Sequence, residues 1–112
     1  MKYTIDAFAA RIKEQGSVWS LKAADDTWVM HEDPEDGSEA MPVWADADSA
    51  ARCAIGEWAY FEPTEVNLDN FVNDFLPALD EEAAWVGINF DADNQGDLVD
   101  PQELATLIGA EL

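Results

Sequence analysis

Apolar residues along this chain switch their spacing repeatedly, and each switch commits the backbone to a different kind of element. Ile5, Phe8, Ala9 and Ile12 fall at i, i+3, i+4 and i+7, which is one face of a helix. Thr4 is the expected cap of that helix and Gly16 its expected end. From Val18 to Met30 the composition turns β-like, with a polar break at Asp25-Asp26. Two strands joined by a hairpin are expected there. His31 to Glu39 contains Pro34, Asp36, Gly37 and Ser38, all turn formers, so it reads as a solvated loop. Residues 40–45 read as a third strand. Pro42 has no N–H to give to a ladder, which puts this strand at an edge or gives it a bulge.

The helical period then returns. Asp46 or Asp48 can cap a second helix running to about Trp58, with Ala47, Ala50, Ala51, Ala54 and Trp58 on one face. Residues 60–68 are broken by Pro63 and read as a short strand or an extended link. Asn67 caps a third helix whose stripe runs from Leu68 through Phe71, Val72, Phe75 and Leu76 to Leu79. Pro77 lies inside that stripe, so the helix is expected to kink or break near Asn73 to Leu76. Residues 85–90 form a buried type of strand, followed by a turn and a short returning strand at Leu98-Val99. Asp100, Pro101 and Glu103 open the last helix with a cap, a first-turn proline and a box-like acid. The pattern predicts an α+β fold over residues 1–112 as one domain. It would hold a single mixed or antiparallel sheet of about five short strands, with three to four helices packed on it.

Apolar residues make up 48% of the chain, enough for a real core and too many for a disordered state. The charge is lopsided. Twenty-five acids face five bases, for a net charge of -20, and nothing basic follows Arg52. Such a surface repels nucleic acid and anionic membranes, whose binding needs Lys and Arg. It attracts basic proteins and cations. Solubility or adaptation to a salty cytoplasm accounts for the same charge without any partner. Cys53 is the only cysteine, so no intrachain disulfide can form. The N-terminus lacks an unbroken apolar core of signal type, and the cytoplasm is the default compartment.

Several groups of residues are candidates for chemistry. Asp91, Asp93 and Gly96 match positions one, three and six of a calcium loop, and Asp97 adds a further acid. Position five is Gln95, and position twelve is Gln102 with Glu103 one place late. A hairpin turn leading into a capped helix explains these residues with no cofactor at all. Weak calcium binding through Asp91, Asp93 and Asp97 is the alternative. His31, the only histidine, reads as a surface residue, and Cys53 as a small core residue. No catalytic residue is identified. Trp19, Trp28, Trp44 and Trp58 are expected in a shared core. A second reading leaves Trp44 partly exposed as a protein-binding anchor near Asp33, Glu35 and Asp36.

Residues 18–32, 41–63, 71–79 and 99–108 together resemble a bacterial family, domain of unknown function 2750. The "PVW" strand end, "GEWAYFEP" and "LPAL" are the more specific parts. The resemblance implies a small stand-alone bacterial protein and brings no activity, cofactor or site residue. A fainter likeness, resting on element order and on residues 88–104, is to the SseB-like N-terminal domain, and it bears on architecture alone. The expectation for function is a non-enzymatic module that binds a basic protein, as an immunity-type inhibitor or a nucleic-acid mimic. The alternatives are a small-molecule protein or enzyme with a carboxylate–aromatic pocket, and the calcium module.

Overall fold

The computed structural model of the chain describes residues 2–32, 37–90 and 96–109. Helix α1 (Lys2–Gln15) buries Ile5, Phe8, Ala9 and Ile12, the stripe its spacing predicts. It begins ahead of Thr4, so Thr4 is not its cap. Gly16 ends it at φ 74°, donating its N–H to Ile12 O at 2.8 Å. Glycine takes this left-handed position without steric cost.

Strand β1 (Ser17–Lys22) pairs antiparallel along its whole length with β4 (Glu62–Asn67), so the extended reading of residues 60–68 resolves as a strand. A tight turn follows β1, closed by the Ala23 N–H on Thr27 O. The expected hairpin is smaller than predicted. Its returning arm contacts β1 through a Lys22–Trp28 bridge and the Val29 N–H on Leu21 O. The chain then crosses into other pairings. Strand β2 (His31–Glu32) runs antiparallel to β3 (Glu39–Val43), β3 runs parallel to β5 (Trp85–Ile88), and β5 runs antiparallel to β6 (Asp97–Val99).

The α+β class holds, but the single sheet is corrected. Among the described residues six strands fall into two ladders, β1–β4 and β2–β3–β5–β6. Trp19 and Trp44 join them by exchanging both backbone hydrogen bonds, at 2.8 and 2.7 Å. The next such pair in that register would set Leu21 opposite Pro42. Pro42 has no N–H to offer, and Leu21 O is already taken by Val29. The bridge therefore stops after one step. Pro42 sits beyond the two residues that β2 covers, and the Ser20 hydroxyl donates to its carbonyl at 2.7 Å.

Helix α2 (Ala47–Arg52) starts at Asp46, whose carboxylate accepts the Ser49 N–H at 2.7 Å. It ends at Arg52, short of the expected Trp58. Ile55 is extended and Gly56 is left-handed at φ 61°, so the backbone leaves the helix and re-forms only a 3-10 turn at Gly56–Trp58. Asn67 caps α3 (Leu68–Asn70) through the Asp69 N–H. The helix then widens into a π segment, Phe71–Phe75, before α4 (Leu76–Glu81). The expected break is thus a change of hydrogen-bond span. The Leu76 N–H reaches Phe71 O, five residues back. Pro77 falls in the first turn of α4, where its missing N–H costs least. Helix α5 (Pro101–Leu107) is capped by Asp100, which accepts the Gln102 N–H at 2.8 Å.

Two cores result. On one face of the four-stranded sheet, Met41, Val43, Val86, Ile88 and Val99 meet the apolar stripes of α1, α4 and α5. The second core gathers Leu21, Val29, Trp44, Cys53, Trp58 and Phe90, with Trp19 packed against it. The tryptophans are therefore not in one core, because Trp28 packs against the first cluster instead.

Candidate functional site

An open apolar groove of about 340 Å³ lies between the helical run 68–81 and the segment that follows β1. The sheet side contributes Trp28, Met30 and Met41, and the helical side contributes Asp74, Phe75, Ala78 and Leu79. Alternation places the first two. Val29 is buried in the second core, so Trp28 and Met30 on either side of it turn the other way, toward the groove. The π segment places Asp74 and Phe75, since the widened turn ends at Phe75. Such segments often occur at functional sites.

Met41 and Leu79, at 2% and 5% exposure, form the floor. Trp28 and Phe75 are half-buried and stand edge to face, with ring centroids 5.1 Å apart and planes at 84°. Asp74, which is exposed, is the one charged residue among those that line the groove. Around it the sequence from Leu68 to Glu82 carries Asp69, Asp74, Asp80, Glu81 and Glu82 and no base. Lys22 lies over the Trp28 ring at 5.3 Å and pairs with Asp26 at 3.3 Å.

The anchor expected at Trp44 is corrected. Trp44 is 1% exposed, and its indole Nε1–H donates to Phe90 O at 2.9 Å. It pairs with β1 and packs in the second core, so it has no surface to offer. Asp33, Glu35 and Asp36 lie outside the described residues, as do Asp91 and Asp93 of the calcium pattern. Asp97 is half-buried on β6, opposite Ile88. Among the described residues no three His, Cys, Asp or Glu side chains gather where they could hold a metal ion. Gly96 has a packing role that the calcium pattern did not suggest. A Cβ there would come within 2.5 Å of the Phe90 ring and 2.6 Å of Ile88 O.

His31 is half-buried, edge-on to Phe90 at 5.5 Å and to Trp58 at 6.2 Å. Cys53 is buried and directs its Sγ to Phe90 O at 3.0 Å. Two carboxylates sit below their ordinary range. Asp25 is lowered by hydrogen bonds from the Thr27 side chain and then its backbone. Asp46 is lowered by the Ser49 backbone N–H, then by the Ser49 side chain, with Arg11 at 3.2 Å adding to this. Both are turn or cap positions outside the groove. Sequence reasoning missed the groove and the exposed Trp85, at 38%, and Leu98, at 44%. Trp85 and Leu98 share a face of β5–β6, since Leu98 stands opposite Gly87.

No helix among the described residues is long and apolar enough to cross a membrane. The family model described as "Protein of unknown function (DUF2750)" matches residues 5–108. No curated protein matches the chain.

Proposed function

Because the chain belongs to the DUF2750 family, which supplies no activity to transfer, we propose from its own chemistry that it is a non-enzymatic module that captures a basic partner protein. One observation carries this reading: acids run through the whole chain while every base lies at or before Arg52, so the second half is purely anionic. The net charge is -20, and the helical segments of that half expose Asp69, Asp74, Glu81 and Glu103, with Glu82 exposed just past the end of α4. Of the five bases, Arg11 and Lys22 are already paired with Asp46 and Asp26. A cationic partner would be drawn in by long-range attraction, which raises the rate of encounter. The partner would be a basic toxin that the module inhibits, or a DNA-binding protein whose basic surface it occupies. The bacterial cytoplasm is the compartment that fits, given the family resemblance and a single buried thiol at Cys53.

Affinity capture from the native host at low and at physiological salt, followed by mass spectrometry, tests this reading. The expected result is one saturable basic partner whose retention falls as salt screens the charges. If nothing basic is retained, or if retention ignores salt, the acidity serves solubility alone and the proposal fails.

A further inference from the structure

We propose that the groove between Trp28 and Phe75 is a docking seat for the apolar side chains of a basic amphipathic helix. This deepens the reading above, on which it rests, by assigning the contact surface and the form of the ligand.

The lining supplies the first argument. Trp28, Phe75, Met30 and Met41 give a wall and floor of aromatic and thioether groups around an open mouth. Methionine side chains bend to fit an incoming shape, and aromatic rings anchor it. The volume, about 340 Å³, is at the small end of ligand pockets. It takes anchor side chains from a segment lying across it rather than the segment itself.

Charge supplies the second argument. Asp74 stands in the lining and the helical run beside it carries acids alone. An apolar anchor flanked by Lys or Arg is drawn to such a mouth, whereas one flanked by acids is repelled. Lys22 does not reverse this sign, because Asp26 already neutralises it.

Backbone geometry supplies the third. The sheet-side segment has its Val29 N–H committed to Leu21 O, and the other wall is helical. The lining between these walls is almost wholly apolar and exposes few polar groups for a peptide backbone to pair with. Recognition through side chains follows, as when an amphipathic helix lays its apolar face into a groove.

The test uses a labelled synthetic peptide with Leu at i, i+3, i+4 and i+7 and Lys on the opposite face. A control peptide holds the same Leu and Lys in scrambled order. Binding to the full chain is followed by fluorescence anisotropy. The amphipathic peptide should bind the unaltered protein about tenfold more tightly than its scrambled control, the equivalent of about 1.4 kcal/mol. Ala78→Trp, which fills the groove from an exposed helix position, should remove that advantage. Asp74→Lys should weaken the amphipathic peptide severalfold and steepen the loss at low salt. Ala78→Arg serves as a second blocking variant if the tryptophan disturbs folding, which circular dichroism reports.

Equal binding of both peptides, or binding that ignores Ala78→Trp and Ala78→Arg, overturns the groove. It leaves the capture of a basic protein standing. Failure of the amphipathic peptide to bind at all also overturns the groove. A capture experiment that retains nothing basic overturns the broader reading instead.

Discussion

The two cores of this protein are built on different rules. The first is mostly aliphatic, with Phe8 and Phe71 among its members, and redundant. Ile12, Val43, Val86, Ile88 and Leu104 interlock across a sheet face and three helices, and no single contact organises them. The second is aromatic and centred on one residue. Asn89, left-handed at φ 54°, turns the chain after β5 and lays Phe90 back over Gly87. The Phe90 carbonyl then receives both Trp44 Nε1 and Cys53 Sγ. Stability in the first core is shared among many methyl groups, whereas in the second it depends on a ring, a carbonyl and two glycines. The first core should therefore absorb volume-conserving apolar swaps more readily than the second.

The largest effect should come from Phe90→Ala. Removing a buried phenylalanine costs about 3–5 kcal/mol; the main-chain carbonyl that accepts from the indole and thiol remains, without the ring that packs beside it. Urea unfolding with tryptophan emission reads this directly. A cost as small as that of a typical surface change would show that the second core is not centred on Phe90.

Gly87→Ala should come next. A Cβ there would lie 2.6 Å from the Phe90 ring, and overpacking of this kind costs about 1–3 kcal/mol. In a Phe90→Leu background the penalty should shrink, because the obstructing ring is gone. Equal penalties in both backgrounds would dissolve the proposed coupling.

Trp44→Phe keeps most of the apolar area and removes one of the two donors to Phe90 O. A loss of about 1 kcal/mol is expected, read by the same unfolding curves. No change would mean the indole hydrogen bond contributes nothing net.

The fold could be read from the sequence where a signal was local. The stripe of α1, the Asp100–Pro101 start of α5 and the Asn67 cap each lie within a few residues of what they specify. Pro77 correctly announced trouble in its helix, although the π segment that absorbs it could not be distinguished from a kink. The second core was illegible because its determinants are distant in sequence. The indole of Trp44 finds a carbonyl 46 residues away, and no periodicity marks that. For the same reason the sequence leaves an exposed Trp44 open as a second reading and puts Trp28, which does line a groove, in the core. The groove itself depends on which side of Val29 faces which cluster, a choice set by tertiary register.

The smallest effect concerns the cap that Arg11 ties to α1. Asp46 is held below its ordinary value of 3.8, so the charged form is favoured in the fold. A depressed carboxylate contributes stability above its unfolded value and loses it as pH falls through the folded one. The advantage of the native protein over Asp46→Ala, about 0.5 kcal/mol at the low end for a helix cap, should therefore persist at neutral pH and fade below about 3.8. Urea midpoints measured across that range check it. An advantage that grows on acidification would reverse the assignment.

The most direct test of the docking account is an NMR titration of the full chain with the amphipathic Leu/Lys peptide, following methionine and alanine methyls and the indole N–H signals. The account predicts saturable shifts at Met30, Met41, Ala78 and Trp28, with Trp85 and Trp44 unmoved. Shifts centred on Trp85 and Leu98, or spread thinly over the acidic surface with the groove silent, would contradict it.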